Sequence, residues 1–161
     1  MADSSSSPQL KELLDYLFSL HRFGIKPGLE RIETLLKFLG NPQTSLQCIH
    51  IAGTNGKGSV CSLLAGILQS AGYRVGLYTS PHLRQFNERI SINGEMISDT
   101  DIALLAQGMM PEIEREHTTF FEVTTAMAFA YFAKNKVDIA IIETGMGGRL
   151  DATNVLKNPF A

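Results

Sequence analysis

The apolar positions form two helical stripes and then change period. Leu10, Leu13, Leu14, Leu17 and Phe18 recur at i, i+3, i+4, i+7 and i+8, which predicts an amphipathic helix opening at Pro8 with Ser7 as its N-cap. A turn-rich connection over residues 21–28 holds Gly24, Pro27 and Gly28, and a second helix carries Leu29, Ile32, Leu35, Leu36 and Leu39. Gly40 stands at its C-terminal position, and Asn41-Pro42 ends it. From there strands and helices alternate. Residues 47–52 (QCIHIA) read as a strand running into a glycine-rich loop. Val60, Leu63, Leu64, Ile67, Leu68 and Ala71 form the next helical stripe, closed by Gly72. Residues 74–79 form a second strand and residues 89–92 a short third. Ser98 and Asp101 start a helix in the manner of a capping box, and Pro111 is expected to bend or interrupt it. Residues 121–134 are helical, and the β-branched run 137–142 (VDIAII) reads as a buried parallel strand. This order predicts a three-layer α/β domain with a largely parallel sheet.

Composition narrows the class without choosing a function. The 161 residues are 44% hydrophobic and 19% charged, which excludes disordered, collagenous and coiled-coil chains and suits one domain, two at most. A net charge of −2 argues against nucleic acid or an anionic membrane as the main partner. No apolar run reaches the ~18 residues of a membrane span, and the polar start of the chain lacks the basic and apolar parts of a secretory leader. The expected setting is therefore cytoplasmic. Cys48 and Cys61 have neither Cys-x-x-Cys nor His ligand spacing, so they read as buried, reduced thiols.

The chemistry lies in where the glycines fall. The first strand runs into Gly53-Thr54-Asn55-Gly56-Lys57-Gly58-Ser59 and then a helix. At such a junction backbone N–H groups point inward, and the helix N-terminus adds about half a positive charge, which suits a phosphate. Lys57 would neutralise the outer phosphates of a nucleotide and Ser59 would face a magnesium ion. The spacing is shorter than Gly-x-x-x-x-Gly-Lys-[Ser/Thr], and an ordinary strand-to-helix turn with a surface lysine is the competing reading. Glu143 stands at the end of the apolar strand 137–142, the ligand edge of a doubly wound sheet, where an acid organises the metal on the phosphates. Ser80, in Thr79-Ser80-Pro81-His82 after the second strand, can reach the same metal or simply start a turn. His82 reads as a loop residue; His21, His50 and His117 show no metal spacing; Met109-Met110 and Phe120-Phe121 read as core packing at helix ends.

Three stretches taken together resemble one family: residues 50–59 (HIAGTNGKGS), 78–83 (YTSPHL) and 143–154 (ETGMGGRLDATN). They are similar to the folylpolyglutamate synthase/dihydrofolate synthase branch of the Mur ligases, whose phosphate loop has this shortened form. Gly28-Leu29-Glu30-Arg31 and Thr119-Phe120-Phe121-Glu122 match the same branch, and Gly-Gly-Arg-Leu-Asp-Ala-Thr-Asn sets it apart from the cell-wall ligases. The resemblance implies a Mur-ligase-like ATP-binding domain with ATP-dependent amide formation between a pteroate or folate carboxylate and L-glutamate through an acyl phosphate. Residue by residue it implies that Thr54, Asn55, Gly56, Lys57, Gly58 and Ser59 bind ATP, with Lys57 and Glu143 catalytic. Ser80 and Glu143 would hold Mg2+. Lys26, Pro27, Gly28, Thr119, Phe120, Phe121, Glu122, Leu150, Asp151 and Ala152 would line the pterin or pteroate pocket. The implied partners are ATP, L-glutamate and dihydropteroate or reduced folates, acting on a monomer, with no nucleic acid and no membrane. Family members continue well past this length, with a further magnesium-binding His, a carbamylated Lys and a C-terminal α/β domain. The expectation is therefore a helical segment over 1–45 and an incomplete phosphate-loop domain over 46–161, inactive alone, with the C-terminal domain absent. A small phosphate-loop kinase, with the 84–89 stretch as a weak lid candidate, and a non-catalytic ATP-binding module remain alternatives; a cell-wall amino-acid ligase is more distant.

Overall fold

The computed structural model describes residues 8–20, 28–157 and 159–161. Two helices, α1 (Pro8–Ser19) and α2 (Glu30–Phe38), precede the sheet. Ser7, His21, Gly24, Lys26 and Pro27, to which the sequence assigned roles or none, lie outside the described residues. The elements that follow are β1 (Cys48–Ile51), α3 (Lys57–Ser70), β2 (Val75–Tyr78), β3 (Ile90–Ile92), β4 (Glu95–Met96), α4 (Asp99–Glu116), α5 (Phe120–Lys134) and β5 (Ile139–Glu143).

The sheet runs β1-β5-β2-β3-β4. Its first three strands are parallel, and β3 and β4 continue it antiparallel as a hairpin. The hairpin turn is Asn93-Gly94, with φ of 49° and 80°, the backbone that a tight two-residue connection requires. The strand β4 was not expected, although Asn-Gly between two short apolar runs is its sequence signal.

Side chains alternate across the sheet with period 2. Ile49, Ile51, Val75, Leu77 and Ile141 meet α3 with Cys61, while Cys48, Tyr78, Ala140 and Ile142 join the larger core under α5. That larger core also takes Leu10 and Leu17 of α1 and Ile32, Leu35 and Leu36 of α2, so the leading helices share one core with the sheet. Close packing of α5 on the sheet is set by Gly76: a Cβ there would stand 2.8 Å from the ring of Phe132. The Tyr78 hydroxyl, fully buried, is satisfied by Thr124 and Thr125 of α5 at 3.0 and 3.1 Å.

Pro111 does not interrupt α4, which runs unbroken from Asp99 to Glu116. Ile102, Ala106, Met109 and Ile113 are all buried, one apolar stripe spanning the proline, and its burial outweighs the lost N–H bond. The last strand begins two residues later than expected, because Asp138 is spent on the edge: its carboxylate accepts the Arg74 N–H at 2.7 Å. Glu143 is consequently a strand residue, in register with Ile51. Beyond it the chain returns to the outer edge of β1, where Phe160 N–H donates to Cys48 O and His50 N–H donates to Ala161 O, a contact that the sequence did not lead one to expect.

Candidate functional site

The carboxyl ends of β1, β5 and β2 lie side by side, and each carries one part of the predicted phosphate site. After β1 the chain turns through Gly53 and reaches Gly56, whose left-handed φ of 75° caps α3 at its N-terminus. The helices α4 and α5 have their first turns closed by Ser98 and Thr119 side chains, whereas no side chain caps α3. Its first N–H groups are the kind of donors an anion takes. Lys57 is the first residue of α3, and Thr54, Asn55 and Ser59 are exposed around it.

Glu143 faces this loop from β5. It is only 5% exposed, and its carboxylate oxygens lie 3.7 and 3.8 Å from where a Gly58 Cβ would be. A Cβ at 58 would meet the carboxylate at ordinary van der Waals contact, so α3 and the strand end stand directly against each other. Ser80, following β2 and preceding a cis bond to Pro81, donates its backbone N–H to Glu143 Oε2 at 3.0 Å. Thr144, the next residue after Glu143, ties the strand end to β1: its N–H and hydroxyl both donate to Ile51 O, at 3.0 and 3.2 Å. One buried carboxylate beside one serine hydroxyl is an oxygen-only donor set of the sort magnesium accepts when phosphates and waters complete its shell. No group of three or more His, Cys, Asp or Glu is gathered among the described residues, so a closed protein cage is not on offer.

A cavity of about 500 Å³ opens directly beside this site. Ser80 lines it and so belongs to both. Gly28, Thr119, Phe120, Phe121, Glu122, Leu150, Asp151 and Ala152 all border it, so every described residue expected in the pteroate pocket is brought to one place. Gly145 admits the Phe121 ring: a Cβ there would collide with Phe121 Cζ. Phe120 stacks on Phe18 at 5.3 Å between centroids and meets Phe86 edge-on at 6.1 Å, which makes one wall aromatic.

Glu122 plays a more structural part than its place in the wall suggests. Arg31 of α2 grips it as a fork, Nη2 to Oε1 at 2.9 Å and Nε to Oε2 at 3.3 Å, and Oε2 also accepts the Thr119 N–H at 2.6 Å. The carboxylate thus closes a capping box on α5 and fastens α2 to it.

Arg89 was missed as a site residue. It is 6% exposed, borders the cavity, and its guanidinium lies 5.1 Å over the Phe120 ring. Its Nε donates to His82 Nδ1 at 2.8 Å, and no carboxylate among the described residues pairs with it. A buried arginine held by a histidine and an aromatic face keeps N–H donors for an anion in the cavity. The signal in sequence was slight, a basic residue next to a short strand. Of the 84–89 stretch, Arg89 points inward while Arg84 is exposed.

The two cysteines are free and buried, one on each side of the sheet. Burial pushes both thiols up to about 12, for Cys61 with help from the Glu143 charge. The unfolded chain releases these protons first, so stability is expected to hold below the ordinary thiol value of 9.0 and to fall as pH rises towards about 12. Thiol titration at pH 8 should find both silent in the native chain and both reactive in urea.

Known proteins resemble the chain over most of its length. The Mur ligase middle domain matches residues 51–158. A dihydrofolate synthase/folylpolyglutamate synthase of Bacillus subtilis is 48% identical over 143 residues, 84% of this chain and 33% of that protein. A folylpolyglutamate synthase of Thermotoga maritima superposes with a TM-score of 0.86 at 52% identity, over 93% of this chain and 36% of that one. A folylpolyglutamate synthase solved with AMPPCP and folate superposes equally well, at 0.86 and 41% identity over 93% of this chain and 38% of that one. The chain spans 33% of the length of the Bacillus relative.

Proposed function

Because this chain belongs to the Mur ligase family through its middle domain, we propose that it is the ATP- and pteroate-binding part of an amide ligase that joins L-glutamate to dihydropteroate or a reduced folate. The observation that carries this reading is the double membership of Ser80, which borders the cavity and donates to the buried Glu143 beside the phosphate loop. A carboxylate bound in the cavity would point at a γ-phosphate held on the loop. The AMPPCP and folate named for the solved relative agree with two ligands at such a junction.

The residues divide the work. Amides of Thr54 through Ser59 cradle the phosphates, and Lys57 draws negative charge from the outer ones. Ser80 and Glu143 would hold Mg2+, which lowers the repulsion between two anions and stabilises charge on the transferred phosphoryl group. Gly28, Phe121, Leu150 and Ala152 enclose the flat ring system. Asp151 offers an acceptor to its N–H groups, and Arg89 holds a substrate carboxylate. A carboxylate is a poor electrophile; phosphorylation by ATP gives an acyl phosphate, which the glutamate amine attacks, releasing phosphate and forming the amide. Aligning the reactants supplies about 7–11 kcal/mol of the barrier reduction.

We place the helical segment at 1–45 and the phosphate-loop part at 46–161, with glutamate and the remaining metal ligand handled by sequence that the longer relatives carry. The test is ADP release with dihydropteroate or tetrahydrofolate, with and without glutamate, by this chain and by the protein of its whole reading frame. Glutamate-dependent release is expected from the latter alone. Release independent of glutamate would favour a kinase, and release at ~1 s⁻¹ by these 161 residues would overturn the division of labour.

A further inference from the structure

We propose that His50 is a positioning residue: acting through Thr153, it sets the orientation of Asp151 at the mouth of the cavity. The proposal rests on the pteroate reading of that cavity and adds two residues to which neither the sequence nor that reading gave a role. The alternation of β1 turns His50 away from α3, to the same side as Cys48, where the segment after β5 passes. There His50 Nε2 lies 2.8 Å from Thr153 Oγ1, and Thr153 Oγ1 lies 2.6 Å from Asp151 Oδ1.

Proton counting gives this chain a direction. A hydroxyl has one proton, and an ionised carboxylate only accepts, so Thr153 donates to Asp151. The Thr153 oxygen is then the acceptor for His50, which must carry its proton on Nε2. Burial lowers the imidazole pKa, opposed by the nearby Asp151 charge, and this favours the neutral ring; the Thr153 contact is what assigns its hydrogen to Nε2. Asp151 Oδ1 also accepts the Thr153 N–H at 3.0 Å, and Oδ2 accepts the Met146 N–H at 2.8 Å. The carboxylate is thereby fixed from behind by the backbone and by the relay. Thr153 is fully buried and Asp151 is 6% exposed, so water does not replace a lost partner readily. Only Asp151 of the three borders the cavity, where it presents an oriented acceptor to the N–H edge of a heterocycle.

The test pairs a spectrum with a titration on the 161-residue chain. Long-range 1H–15N spectra are expected to show His50 as the neutral Nε2–H tautomer, and Thr153→Val to shift its Nε2 signal. Dihydropteroate titrated into Thr153→Val is expected to bind roughly tenfold to a hundredfold more weakly, the range for hydrogen bonds to a charged group, while Thr153→Ser, which keeps the hydroxyl, stays within about threefold of wild type. Magnesium-ATP affinity should be the same in all three. An Nδ1–H tautomer, or equal dihydropteroate binding by the Val and Ser variants, overturns the proposal. Should Thr153→Val fail to fold, His50→Phe against His50→Gln, which retains an N–H donor, reads the same difference. A wild-type chain with the expected tautomer that takes no dihydropteroate sinks the pteroate reading, while the spectrum still supports the relay's orientation of Asp151.

Discussion

Lys57→Ala is expected to weaken magnesium-ATP binding by this chain roughly tenfold to a hundredfold, since a charge-assisted hydrogen bond is worth about 1.5–3 kcal/mol. The fold should not change. Lys57 is half-buried at the first position of α3 and makes no ion pair among the described residues, so alanine, a better helix former, removes no native partner. The loop keeps its other means of binding phosphate, the uncapped amides of α3 and the open turn at Gly56, so affinity falls without vanishing. Calorimetric titration of wild type and variant decides the matter. Equal affinities would remove Lys57 from the phosphate site and leave the surface-lysine reading standing.

Arg31→Ala is expected to cost about 3 kcal/mol of stability, the lower end of what breaking a buried ion pair costs, because Arg31 keeps 19% exposure while Glu122 keeps 5%. The loss strands the Glu122 carboxylate with the Thr119 N–H as its remaining partner at 2.6 Å. Adding Glu122→Gln to Arg31→Ala should recover part of it, since the neutral amide needs no counter-charge. Urea unfolding measures both. A change below about 1 kcal/mol, the worth of an exposed pair, would show that α2 is held by its apolar stripe alone. The same variant should weaken dihydropteroate binding, because Thr119 through Glu122 form one side of the cavity.

How much of this was legible in the chain depended on whether the signal was local. The phosphate loop was legible because three glycines, a lysine and a strand-to-helix change stand within a few residues. The place of Glu143 was legible because a β-branched run ends on it, and the resemblance raised Ser80 from a turn residue to an expected metal ligand. The ligase resemblance also gathered Thr119 through Glu122 with Leu150 through Ala152, two stretches that no periodicity connects. What escaped was set by tertiary contact. Arg89 gains its meaning from Phe120, thirty-one positions along, and His50 from Thr153, more than a hundred along. Pro111 was read as a bend or an interruption because its local effect is strong, whereas the stripe from Ile102 to Ile113 that carries α4 through it is buried only once α4 packs. The Asn93-Gly94 turn was the one local signal present and passed over.

A nucleotide's phosphates and a pteroate carboxylate are proposed to meet at Ser80 and Glu143. The most direct measurement is a crystal structure of this chain with magnesium, AMPPCP and dihydropteroate. The expected result is a triphosphate on the amides of residues 54–59, magnesium touching Ser80 and Glu143, and the pteroate against Phe121 with its carboxylate turned towards Ser80. A nucleotide seated away from α3, or a pteroate outside the Phe121 cavity, would contradict it.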